Sequence, residues 1–224
     1  MLWYKAWLET RVRFLICLVG MSVLCWYPIH DDIRWAQPDT SLRYYYASVH
    51  GAHGMLGALW LVAVIFLVMG GLLREKAVGA ASFTLALPFS RRRLMGVRIA
   101  TGMAEAIILI LVSSAAICMQ VSIFGKPYPM SQVWFHLVLL ISGGMVPFVI
   151  ALLIASLVEG EYTAPLVSFG VLICGIFLLS GQAVQKVDPY RFMSGLDYFD
   201  RTTGLLLGPI PWMKAGAYLL LAAC

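Results

Sequence analysis

Ala52-His-Gly-Met-Leu-Gly-Ala-Leu-Trp-Leu-Val-Ala-Val-Ile-Phe-Leu-Val-Met-Gly-Gly-Leu-Leu73 runs for 22 residues without a formal charge. As a helix it extends about 33 Å, enough for a bilayer's hydrocarbon core of about 30 Å. The stretch therefore reads as a membrane span. Working outward, five further apolar runs have the same character: 14–27, 99–124, 133–158, 162–184 and 205–224. The composition agrees. Of 224 residues, 61% are hydrophobic and 12% charged, against about 45–50% and 25% in ordinary globular domains. Mean hydropathy is +0.86. Such a chain cannot cover a water-exposed surface. An unembedded enzyme, a nucleic-acid-binding domain and a disordered chain are excluded, and an all-α polytopic membrane protein of six spans is expected. The connections are too short for a second folded domain, so 1–224 forms one membrane domain.

The six runs are not equivalent. The first is short, and Arg11 and Arg13 can extend it by snorkelling to the headgroups. The last is interrupted by Pro209 and Pro211. Its continuous part covers only about 21 Å, so this helix is expected to be incomplete, with a re-entrant segment as the alternative. Before the first run, Leu2, Trp3, Ala6 and Trp7 share one side of a helix while Lys5 and Glu9 face elsewhere. Residues 1–13 are therefore expected to form an amphipathic helix at the interface, where Trp and Tyr concentrate. The alternative is a plain extension of the first span.

Orientation follows from the loops. The connection 74–98 holds Arg74, Lys76, Arg91, Arg92, Arg93 and Arg98 against Glu75, a net of +5. The connection 28–50 is −1, and that between the last two spans is neutral. By the positive-inside rule the N-terminus and the basic loop are cytoplasmic. Arg11, Arg13, Arg92, Arg93 and Arg98 serve as topology anchors.

The middle of the basic loop is apolar. Val78, Phe83, Leu85, Leu87 and Phe89 occur there, 77–87 is long enough for about three helical turns, and Pro88 stops the run. Ser90 can cap the following helix. Two readings fit: a helix lying against lipid, or a docking helix for a cytosolic partner. The pattern Glu75, Gly79, Phe83, Leu85, Leu87, Pro88, Ser90, Arg91 and Gly96, placed between the second and third spans, resembles the first cytoplasmic loop of permease subunits of ABC-type-2 transporters. The resemblance extends over nearly the whole chain. It implies six spans, an N-terminal interfacial helix, and a broken re-entrant stretch matching 189–211. It also implies that 74–98 is a coupling loop fitting a groove on a cytosolic ABC ATPase. One departure is Ala80, Ala81 and Ser82, where many members have a Thr-Leu-Glu-like stretch.

The resemblance further implies an exporter in a bacterial inner membrane, working with a second permease copy or paralogue. ATP and Mg would bind the partner ATPase. This chain has no GxxxxGK[ST] phosphate loop and is expected to bind no cofactor itself. A membrane scaffold or assembly factor and an intramembrane enzyme are the alternatives.

Glu105, about two turns inside the third span, is a possible intramembrane polar site, or a structural partner of Arg98 or Arg93. His50 and His53 have a spacing that could suit a metal or haem. No third ligand is evident beyond His30, Asp31 and Asp32, so no metal site is assigned. His136 reads as an interfacial residue. Gly143-Gly144 permits close helix packing. The five cysteines form no CxxC or Cys/His zinc spacing.

Overall fold

The computed structural model describes residues 2–35, 42–68, 91–123, 128–158, 163–179 and 187–223. Within them the chain forms helices α1 (Leu2–Trp35), α2 (Leu42–Val68), α3 (Arg91–Ile123), α4 (Met130–Leu157), α5 (Thr163–Leu179), α6 (Pro189–Ser194) and α7 (Trp212–Ala223). Three of these, α2, α3 and α4, are long and apolar enough to cross a membrane. The protein is thus an all-helical integral membrane protein.

Side-chain contacts give the helix directions. Thr10 of α1 meets Glu105 of α3, and sixteen residues later Trp26 meets Gln120, fifteen residues along α3. The two helices therefore run parallel. Trp60 on α2 faces Ala106 on α3 and Gly144 on α4. Gly57 lies against Leu140, and His53 against His136. Those three pairs advance together, so α2 and α4 are also parallel. The bundle has one end carrying Thr10, Arg98 and Glu105, the basic end. The other carries the histidines.

Trp60 is the centre of the core, with none of its surface exposed. Its indole Nε1 donates to the Ala106 carbonyl over 3.0 Å. The helices approach closely here because α4 carries Gly143-Gly144. A Cβ on Gly144 would lie 2.8 Å from the Trp60 ring, and one on Gly143 would lie 2.7 Å from Met193. The glycine pair thus seats α2 on one side of α4 and α6 on the other. Since Gly143 is thirteen residues into α4, the short helix α6 reaches the middle of that helix.

Several expected boundaries move. Residues 1–13 do not form a separate interfacial helix: Leu2–Trp35 is one continuous helix of 34 residues. No glycine or proline occurs before Gly20 to break it. Trp3, Tyr4 and Trp7 remain exposed on its first turns. The second helix starts at Leu42 instead of 52, because Tyr45, Val49 and His50 already face the core. The sixth expected run, 205–224, is helical only from Trp212. Before it, residues 195–211 form a covering segment across the histidine end. Phe199 and Leu206 bridge within it. Gln132 of α4 clamps Leu206 from both sides: its Nε2 donates to the Leu206 carbonyl at 3.0 Å and its Oε1 accepts from the Leu206 N–H at 2.9 Å. Gly204 adopts φ 71°, and a Cβ there would lie 2.5 Å from the Arg43 carbonyl oxygen. Only glycine fits both the left-handed backbone and the close approach.

Candidate functional site

Two buried polar clusters mark the ends of the bundle. At the basic end, Glu105 is 2% exposed. Thr10 of α1 donates its hydroxyl hydrogen to Glu105 Oε1. The expected pairing with Arg98 or Arg93 does not form. Arg98 lies seven residues, about two turns, before Glu105 and meets Glu9 of α1 at its own level, at 3.3 Å. Glu9 also faces Lys5 at 3.9 Å. A polar seam thus ties α1 to α3, beside a cavity of about 50 Å³ lined by Thr10, Arg98, Thr101 and Phe148. Glu105 Oε2 has no hydrogen-bond partner among the described residues.

The geometry gives Glu105 an anchoring role that can be tested. Glu105→Gln keeps an acceptor oxygen for Thr10 and is expected to leave stability within about 1 kcal/mol. Thr10→Val removes the donor and leaves the buried carboxyl without it, a loss of about 1–3 kcal/mol. Unfolding by SDS titration in mixed micelles measures both. Equal effects of the two substitutions would contradict the anchoring role.

At the other end His50, His53 and His136 meet. They are 8%, 1% and 1% exposed. The His53 and His136 rings stack with centroids 4.1 Å apart and planes 10° apart. His50 lies 5.2 Å from His136 and is covered by Phe199, stacked at 4.0 Å and 12°. Gly195 closes over His50 and Leu139. His53 Nδ1 is 2.9 Å from the Val49 carbonyl. A carbonyl only accepts, so Nδ1 carries the proton and Nε2 the free lone pair. His136, expected at the interface, is instead the third member of a buried cluster. Sequence spacing had paired only His50 with His53. Among the described residues no group of three or more His, Cys, Asp or Glu side chains is arranged to hold a metal ion.

The covering segment's two carboxylates are engaged nearby. Asp200 accepts from the backbone N–H and hydroxyl of Thr202 and from the Thr203 hydroxyl. Those donors, Thr202's first, hold its carboxyl below the ordinary 3.8. Arg191 donates to Asp197.

The residues expected to form a coupling loop, Glu75, Gly79, Phe83, Leu85, Leu87, Pro88 and Ser90, lie outside the described residues, and Arg91 opens α3. Of the anchors, Arg11, Arg92 and Arg93 are exposed, Arg13 is half-buried, and Arg98 is drawn into the α1–α3 seam. Comparison with family models, curated proteins and solved structures finds no match for this chain.

Proposed function

We infer that the chain is the membrane-spanning permease subunit of an ATP-driven ABC transporter, an exporter coupled to a separate cytosolic ATPase. The observation that carries the reading is the pattern Glu75, Gly79, Phe83, Leu85, Leu87, Pro88, Ser90, Arg91 in the connection between α2 and α3. Two structural features support it. The helices flanking this connection are joined through Trp60 and Ala106, so a push on the loop reaches a firmly packed pair. The short helix α6 starts at mid-bundle and runs out to the histidine end before a turn and a last helix, a layout similar to the broken stretch of that family.

In this reading the spans are α1 to α5 and α7, with the basic end and N-terminus in the cytoplasm of a bacterial inner membrane. ATP and Mg bind the ATPase. A second permease copy or paralogue completes the path. ATP binding draws the ATPases together, and the loop passes that motion to α2 and α3.

Leu87→Asp and Arg91→Glu test the docking role. Each is expected to weaken ATPase binding by about 2 kcal/mol or more, roughly 30-fold, without altering membrane insertion. Titrating the ATPase against nanodisc-held chain measures this. Unchanged affinity in both variants would remove 74–98 as the docking element.

A further inference from the structure

The histidine cluster has no part in the ATPase-coupling account, yet it gathers three of the chain's four histidines under one lid. Each ring keeps a nitrogen without a hydrogen-bond partner among the described residues: His50 Nδ1, His53 Nε2 and His136 Nδ1. Three buried imidazoles thus present open nitrogens to one another and to the lid.

A metal ion does not fit the arrangement. An ion bound by an imidazole lies near the plane of that ring, about 2.0–2.1 Å from the nitrogen. The His53 and His136 planes are only 10° apart and stacked 4.1 Å between centroids. Two such planes share no point close to both rings, so one ion cannot serve both. A proton, by contrast, is taken by each imidazole nitrogen singly and needs no shared position.

Proton uptake conflicts with the closed geometry. It adds an N–H donor that no described residue accepts, and a charge away from water. Charged and titratable groups on the surrounding elements are Arg43, Tyr44, Tyr45 and Tyr46 on α2, Tyr128 just before α4, and Asp188, Tyr190, Arg191, Asp197, Tyr198, Asp200 and Arg201 in α6, its N-cap and the covering segment, with Asp188 engaged by the Tyr190 backbone N–H. Asp197 is held by Arg191 and Asp200 by its two threonines. Among the described residues no carboxylate pairs with an imidazole to offset the charge. Lifting Phe199 and Gly195 off His50 would admit water and relieve both costs.

We propose that His50, His53 and His136 form a proton-binding latch beneath residues 195–211, which stay seated over neutral rings and lift when the rings take up protons. The proposal rests on the packing at the histidine end and is independent of the permease reading. An imidazole released to water titrates near pH 6.5, so each one freed by opening raises the opening constant about 30-fold between pH 7.5 and 5.0. Closure is complete above that value and weakens as pH falls through it. Asp200 titrates below 3.8 and does not contribute in this window.

Hydrogen–deuterium exchange of the full chain in nanodiscs, at pH 7.5 and 5.0 and corrected for the intrinsic pH dependence of exchange, provides the test. Exchange in 195–211 is expected to rise about 30-fold or more at pH 5.0, to reverse on neutralisation, and to leave the centre of α3 unchanged. His136→Phe keeps a stacked ring without a proton site, and His53→Gln removes the stacked base. Each should reduce the pH effect. No change in the wild-type chain between the two pH values overturns the proposal without recourse to any variant. A full pH effect in both variants overturns it as well. Stronger protection of 195–211 on adding Zn²⁺ or Ni²⁺ at pH 7.5 would replace the proton with a metal as the ligand.

Discussion

Trp60→Ala is expected to produce the largest loss of stability of any single truncation in this protein, about 3–5 kcal/mol. The side chain is wholly buried. It fills the space between α2, α3 and α4, and it spans that space with a hydrogen bond, from Nε1 to the Ala106 carbonyl. Truncation opens a cavity and removes that bond together. Trp60→Phe separates the two effects. It retains most of the ring packing and should lose only the hydrogen bond and a smaller volume, well under half of the alanine cost. SDS titration in mixed micelles reads both variants. Alanine and phenylalanine variants of similar, near-native stability would show that Trp60 is not the keystone of the bundle.

Gly143→Leu comes next, through overpacking. Even a Cβ would sit 2.7 Å from Met193 Cγ and 3.1 Å from both Phe192 and the Pro189 carbonyl oxygen. The last of these is backbone, so α6 has to move as a body. The cost is expected at about 3 kcal/mol, concentrated in the docking of 189–211. Hydrogen exchange should therefore rise in that segment and much less in α1 and α3. The neighbouring Gly144→Ala acts on the other face, where Trp60 stands 2.8 Å from the new carbon. Its cost should shrink in a Trp60→Ala background, because the cavity receives the added methyl. Additive effects of that pair would contradict direct contact.

The parts of this structure that were legible in the sequence are those set by hydropathy and by small residues. Long apolar runs located α2, α3 and α4, and Gly143-Gly144 marked the close approach that α2 and α6 make to α4. Boundaries were less legible where packing overrides hydropathy. Residues 42–51 mix Arg43, three tyrosines and His50, yet form the first turns of α2 because Tyr45 and Val49 on one face of them pack into the helix core. The interfacial helix at 1–13 was inferred from amphipathicity, which cannot distinguish a separate helix from the protruding end of a long one.

The polar clusters were half legible. Glu105 stood out as an acid in an apolar run, but its partner was sought on its own helix. The partner is Thr10 on α1, at a distance in sequence that no spacing rule covers. His136 was missed for the same reason. A signal was nonetheless present. His53 lies seven residues before Trp60 and His136 eight before Gly144, so pairing Trp60 with Gly144 on parallel helices brings the two histidines level. The information lay in helix register, which becomes usable only once helix direction is known.

Affinity purification of the tagged chain from its native membrane, with mass spectrometry of what accompanies it, tests the central claim most directly. The account predicts a cytosolic ABC ATPase, together with a second copy of this chain or a related permease. An intact, well-folded chain that brings no ATPase from any of several mild detergents would contradict it.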